Sequence, residues 1–239
     1  MKKSTKKSVS MLFALAFLAF TLCLIPAKKA HASGSEGYIQ LKGKSQSVIV
    51  FHPSSDDYEI ECGKQLKNAK KVKFTSNKPS VIKTHCYKDS TDKSNPYSLT
   101  FTTKKLGTAK LTLTYTKNGK KQKHIINVKV TKYQNPFKSV KIGKISYTKD
   151  FKHSFVSELL KKQPVGKQKI SIQTKNGWKV VSIKKVYPQN PKDDASPYIV
   201  SKVKNNTKTF ISKAYTTLMI TVKSKNSDCA IVWYIFSEE

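Results

Sequence analysis

Arginine is missing from this sequence. All 46 cationic residues of the 239 are lysines, against 14 acids, and the formal net charge is +32. The planar guanidinium fork that grips guanine or phosphate with two parallel hydrogen bonds is therefore unavailable, which argues against sequence-specific nucleic-acid reading. Lysine is a compact point charge that senses a polyanion without reading it. Histidine is also scarce, at five residues, and glycine at nine. No His-x-x-x-His or Cys-x-x-Cys spacing suggests a metal site. No glycine-rich phosphate loop, Gly-x-Ser-x-Gly elbow or His-Glu-x-x-His helix is present. The sequence offers no catalytic residues, metal ligands or cofactor. An enzyme would need a site assembled from scattered residues.

Long apolar runs are lacking as well, with one exception. Met11–Ile25 is an uncharged run of 15 residues, preceded by the lysine-rich MKKSTKKSVS and ended by Pro26. Ala30-His31-Ala32 places small residues where a signal peptidase reads, so residues 1–32 are expected to be a secretory signal, cleaved before Ser33. The run is short for a membrane span, and a retained anchor is the alternative. Cys23 suggests a lipid-modified leader, but Phe20-Thr21-Leu22 are bulkier than such a site accepts. No Leu-Pro-x-Thr-Gly sorting signal follows. The expected product is secreted, with no transmembrane span after cleavage, and is released or held at the cell wall by contacts alone.

Cysteine is sparse: beyond the leader only Cys62, Cys86 and Cys229 remain. An oxidising exterior makes Cys62–Cys86 a disulfide candidate, and burial as free thiols on non-adjacent strands is the alternative. Cys229, flanked by Ala230 and Ile231, reads as a buried thiol. His85 and Cys86 are chain neighbours and would point to opposite faces of a strand, which argues against a catalytic dyad. Asp56, Asp57 and Glu59, and Asp193-Asp194, either gather a weak cation or stand as solvated loop acids, the latter being favoured.

What the sequence has in abundance is period-two alternation. In GTAKLTLTYTKNGKKQKHIINVKV, Ala109, Leu111, Leu113 and Tyr115 share one parity; Thr108, Lys110, Thr112 and Thr114 share the other. That is a strand with a core face and a wet face. Asn118-Gly119 tolerates positive φ at both turn positions, which predicts a hairpin into a return strand with Ile126, Val128 and Val130 inward. Strands are also expected at SQSVIVFH (Ser45), DYEIEC (Asp57), KKVKFTS (Lys70), PSVIKTHC (Pro79) and YSLTFTT (Tyr97). The spacing indicates an all-β sandwich. After Lys132-Tyr133-Gln134-Asn135-Pro136-Phe137, further β segments follow, with a second hairpin expected at Asn176-Gly177. One helical turn is expected at Ser154–Lys162. CAIVWYIF (Cys229–Phe236) is apolar on both parities, so it is either buried between layers, the favoured reading, or exposed for a partner.

FTSNKPSVIKT, YSLTFTTKKLGTAKLTLTY and HIINVKV resemble the bacterial immunoglobulin-like domain of secreted and surface proteins. Phe74 stands where that family often has Trp, with Ser80-Val81-Ile82 and Gly107-Thr108-Ala109 in its strand motifs. The resemblance covers Gly37 to Lys132 and implies a spacing, adhesion or binding role, with no catalytic residues to transfer. The region after Asn135-Pro136-Phe137 resembles the uncharacterised lysine-rich tail unit of secreted proteins from low-GC Gram-positive bacteria. The expected organisation is thus two tandem β-sandwich domains, 33–132 and 133–239, after the leader.

Two lysine clusters are candidates for binding a polyanion: Lys67, Lys70, Lys71 and Lys73, and Lys117, Lys120, Lys121 and Lys123 at the hairpin. The expected partner is an anionic cell-wall polymer or acidic glycan. The competing explanation is that these lysines are the solvated side of an ordinary sheet, with a protein partner meeting an apolar face that includes Trp233. Tyr133, Tyr147 and Tyr187 are candidates for stacking on sugar rings or for plugging the core edge.

Overall fold

The computed structural model describes residues 35–53, 57–88, 96–153, 156–157, 164–190, 197–211 and 216–235. The expected signal segment and its cleavage site lie outside them. The described chain forms, in order, β1 (Ser35–Gln40), β2 (Ser45–His52), β3 (Asp57–Glu61), β4 (Lys70–Ser76), β5 (Ile82–Lys88), β6 (Tyr97–Thr103), β7 (Gly107–Lys117), β8 (Lys120–Lys132) and β9 (Phe137–Ile142). There follow β10 (Ile145–Ser146), a 3-10 turn at Asp150–Lys152, β11 (Val156–Ser157), β12 (Gly166–Thr174), β13 (Trp178–Pro188), β14 (Tyr198–Lys202), β15 (Lys208–Ile211), β16 (Thr217–Ser224) and β17 (Cys229–Ile235). The protein is all-β, as the alternation predicts. Among the described residues no helix is long and apolar enough to cross a membrane.

Three sheets organise these strands. One has the order β2-β8-β7-β4, a second β10-β9-β12-β15, and a third β14-β13-β16-β17-β1-β3-β6-β5, with β11 added beside β17. The first and third sheets face each other. Val48, Val50, Leu111, Leu113, Ile126 and Val128 from one meet Ile39, Ile60, Leu99 and Phe101 from the other in a shared core. Tyr58 crosses this layer: fully buried, its hydroxyl accepts from the Phe51 amide at 3.0 Å. Each large side chain removed from water contributes about 1.5–3 kcal/mol, so this layer is the main source of stability.

The third sheet draws strands from both sides of Lys132. Gly37–Ile39 of β1 pair antiparallel with Cys229–Ile231 of β17, while the other edge of β1 pairs parallel with β3. Gly37 is required at that crossing: a Cβ there would lie 2.8 Å from the Ala230 carbonyl oxygen. The β16–β17 turn also reaches β2. The Ser227 hydroxyl accepts from the Ile49 amide at 2.9 Å, and Asp228 accepts from Lys223 at 3.0 Å and Lys42 at 3.4 Å.

The two Asn-Gly pairs behave differently. Asn118 and Gly119 both have positive φ, 51° and 73°, and β7 pairs with β8 along its whole length. At the second pair only Gly177 is positive, at 83°. Positive φ at the second central position alone is the type II pattern, which splays hairpin strands where types I′ and II′ match their twist. Instead it carries the chain from β12 into β13, which lie in different sheets, correcting the expected hairpin. The expected helical turn is also corrected where it is described: Val156–Ser157 is strand, parallel to Tyr234–Ile235. Residues 154–155 and 158–163 lie outside the described set. β5 begins at Ile82 rather than Pro79, because Lys78 O accepts from the Val81 and Ile82 amides and holds a turn there.

Over its described length CAIVWYIF is buried on both parities, with Tyr234 alone half-buried. Cys229, Ile231, Trp233 and Ile235 are at most 1% exposed, and Val232 only 3%. The strand lies inside the third sheet, between layers, so Trp233 offers no surface to a partner. Its indole donates to Tyr133 Oη at 3.0 Å, and that hydroxyl donates to Phe151 O at 2.8 Å.

Candidate functional site

The register of the β2-β8-β7-β4 sheet determines which lysines meet. β7 runs through the middle, and its inward residues Ala109, Leu111, Leu113 and Tyr115 are buried. Its outward residues are Thr108, Lys110, Thr112, Thr114 and Thr116, because successive side chains take opposite faces. Lys73 on β4 pairs with Thr114, and Thr114 pairs with Lys123 on β8. One row along, Lys70 pairs with Thr116 and Thr116 with Lys121. The two clusters, far apart in sequence, therefore flank a single column of threonines. At the other end of the same face, Lys110 pairs with Asn127, and Thr108 with Lys129.

Strand spacing puts lysine backbones on either side of the threonine column ~9.6 Å apart, and successive outward positions on β8 ~6.8 Å apart. Both separations lie within the ~10 Å Debye length at 0.1 M salt, so the charges reinforce one another in dilute buffer. The outward side chains of β4, β7 and β8 include no carboxylate and no aromatic ring. Lys70, Lys73, Lys110, Lys121, Lys123 and Lys129 are all exposed. A shallow groove of about 380 Å³ crosses the end of the face away from the hairpin, lined by Lys78, Lys110, Lys129, Asn127, Thr108 and Ser47, among others.

Not every candidate lysine joins the face. Lys117 and Lys120 pair with each other at the start of the hairpin and take the opposite parity. The Lys117 ammonium donates to the carbonyl oxygens of Lys64 and Gln65, both at 3.0 Å, and so holds the turn after β3. Lys120 lines a depression beside Tyr115 and Gln122 on that inner side. Lys71 sits at a bulge, with φ of 53°, where three residues of β4 span two of β7. Lys67 is exposed on the turn before β4. Lys110 and Lys129 were missed as candidates. Their outward parity was legible, but their place beside the clusters depends on pairing register.

The thiols are free: Cys62 and Cys229 buried, Cys86 exposed. The expected Cys62–Cys86 bond is absent for a geometric reason. β6 lies between β3 and β5, so the two cysteines stand at least two strand spacings apart, roughly 9.6 Å or more. A disulfide requires Cα atoms within about 7 Å. Burial, with smaller contributions from Glu59, Cys86 and Glu61, pushes the Cys62 thiol up to about 12. His85 stacks on Tyr87 two residues along, not on Cys86.

The three candidate tyrosines are buried or held by neighbours. Tyr147 is fully buried, and burial, with Asp150 nearby, raises its phenol to about 12. Tyr133 bonds Trp233 and Phe151, and Tyr187 lies under the Lys185 ammonium, 4.6 Å from the ring centre. Among the described residues no group of three or more His, Cys, Asp or Glu is placed to hold a metal ion. Asp57 accepts from the Thr100 hydroxyl at 2.7 Å; Asp56, Asp193 and Asp194 lie outside the described residues.

These features define an all-β protein of packed sheets with a cationic, threonine-lined outer face. No protein-family profile matches the chain, and no curated protein matches it. Among solved structures it is similar to the extracellular domain of protocadherin gammaB4, with 10% identity and a TM-score of 0.28 over 84% of this chain. The chain spans about a third, 32%, of that protein. It is also similar to the fibronectin(III)-like modules of Clostridium thermocellum CbhA, at 11% identity and a TM-score of 0.25, covering 69% of this chain and 92% of that one.

Proposed function

We propose that the protein is a non-catalytic, extracellular binding module whose β4-β7-β8 outer face holds anionic polymer, such as a cell-wall polymer or acidic glycan. The observation that carries this reading is the convergence of Lys70 and Lys73 with Lys121 and Lys123 around Thr114 and Thr116. The register places these four lysines on one face with no acid between them. In this reading residues 33–132 and 133–239 are two units joined through β1 and β17, and the first carries the site. Secretion follows from the leader at residues 1–32, and the missing arginine restricts any nucleic-acid contact to the non-specific kind.

The test is retention on immobilised heparin. Replacing Lys70, Lys73, Lys121 and Lys123 with Gln is expected to lower the eluting salt sharply, because counterion release scales with the charges engaged. Replacing Lys138, Lys152, Lys204 and Lys225, all exposed and off this face, removes equal charge and is expected to change retention little. Equal losses in the two variants would reduce the binding to bulk charge and end the reading.

A second reading, a protein partner met by an apolar surface, draws on Phe210 of β15, which is 62% exposed. Pull-down of a protein partner that survives both lysine variants and is lost in Phe210→Ser would favour it.

A further inference from the structure

The chemistry of the outer face narrows the ligand class, on the assumption that the proposed binding role is correct. Three observations bear on it. First, the face is a lane rather than a spot. From Thr108 to Thr116 the outward residues of β7 extend over ~27 Å, with lysines at both ends and the row Thr75–Thr112–Ile125 uncharged between them. Second, the floor of the lane is hydroxyl. Thr112, Thr114 and Thr116 are half-buried on the outward parity of β7, so the sheet fixes their backbones on this face. Hydroxyls of this kind donate to phosphate oxygens, and lysines beside them supply the counter-charge.

The third observation is the absence of rings from the lane. Proteins that hold single-stranded nucleic acid stack its bases on aromatic side chains. Sugar rings likewise use aromatic faces, and here the candidate tyrosines are buried or engaged elsewhere. A polymer whose repeat is a flat base or a bulky pyranose has nothing to stack on. A thin, flexible chain with a negative charge at each repeat loses nothing by that absence. It can lie between the lysine columns with its oxygens on the threonines.

We infer that the lane binds an unbranched phosphate polymer with a ring-free backbone, a polyphosphate or a polyol phosphate, lying along β7. The groove bordered by Lys78, Lys110, Lys129 and Asn127 accommodates the chain where it leaves the threonine column. Lysine supplies attraction, and the threonine hydroxyls supply hydrogen bonds to the oxygens of a chain thin enough to lie between the lysine columns.

The full chain is titrated by fluorescence anisotropy or calorimetry with inorganic polyphosphate, synthetic poly(glycerol phosphate), poly(dT) and heparin, matched in charge concentration. The two phosphate chains are expected to bind about tenfold or more tightly than poly(dT), which has nowhere to stack. Heparin is expected to fall with poly(dT). Binding of only one of the two phosphate chains supports the inference and identifies the source of the ligand.

Thr114→Val and Thr116→Val keep shape and strand preference but remove the hydroxyls. Each is expected to weaken the phosphate chains about fivefold and leave heparin unchanged, as loss of one hydrogen bond implies. Thr114→Ser retains the hydroxyl and is expected to retain affinity, which separates hydrogen bonding from packing. Equal binding of all four polymers, or valine variants that lose nothing, overturns the inference while leaving polyanion binding in place. No binding of any polymer overturns both.

Discussion

Lys73 and Lys123 stand on opposite sides of Thr114 in one row of the β4-β7-β8 sheet. Each is outward by parity, and each belongs to a different sequence cluster. The sheet joins them because β7, with buried Leu111 and Leu113 on its other side, has one register that keeps its core face covered. The core thus determines the arrangement of the cationic surface.

Lys117 has a different role from its neighbours. It tethers the carbonyls of Lys64 and Gln65, so Lys117→Ala is expected to lower stability by about 1 kcal/mol, the usual contribution of such hydrogen bonds. Its effect on polyanion affinity should be small next to that of Lys73→Ala. Chemical denaturation together with a polyphosphate titration checks both.

The β1–β17 crossing predicts that Gly37→Ala destabilises the whole molecule. A methyl group there would lie 2.8 Å from Ala230 O and 3.2 Å from both Cys229 Sγ and the Tyr58 ring. Overpacking of this kind costs about 1–3 kcal/mol. Because β1 ties both halves into one sheet, thermal unfolding of the variant should lose signals from Trp178 and from the β7–β8 core together. Independent melting of the two regions would contradict this.

Thiol labelling follows from burial. Cys86 is expected to react first with a disulfide reagent, while Cys62 and Cys229 wait for unfolding. Burial also raises the Cys86 thiol above its ordinary value, so less thiolate is present at neutral pH and the labelling rate should climb as pH rises past the usual thiol range. Cys86→Ser should abolish the fast phase.

Acid should loosen the contact between β2 and the β16–β17 turn. The hydrogen bond from Lys223, helped by Lys42, holds the Asp228 carboxyl below its ordinary 3.8, against an opposing effect of burial. A depressed folded value stabilises above the unfolded value and loses that contribution as pH falls through the folded one. Asp228→Asn should therefore be less stable than the parent at pH 7, by under about 1 kcal/mol for a partly exposed pair, and indistinguishable from it near pH 2.

Local pattern predicted most of the strands. SQSVIVFH, YSLTFTT and the Asn118-Gly119 hairpin appear where alternation and turn chemistry place them, because both signals act within a few residues. What local pattern does not carry is pairing between distant segments. That β1 pairs with β17, that β6 separates Cys62 from Cys86, and that Lys73 reaches the row of Lys123 are all consequences of non-local sheet order. The Asn176-Gly177 turn failed as a hairpin for a similar reason. The dipeptide permits positive φ at both positions, but here the chain must leave one sheet for another, and Asn176 keeps its ordinary backbone. The burial of Cys229–Ile235 was legible from its unbroken apolar run, whereas the identity of the covering layer was not.

The salt dependence of polyphosphate affinity tests the central claim most directly. Each lysine that neutralises a phosphate adds to the slope of log K against log salt by about 0.7 for a single-stranded polyanion. If the outer face is the site, Lys73→Ala and Lys123→Ala should each flatten that slope by about this amount, and Lys152→Ala should leave it unchanged. Identical slopes for all three variants and the parent would contradict the assignment of binding to this face.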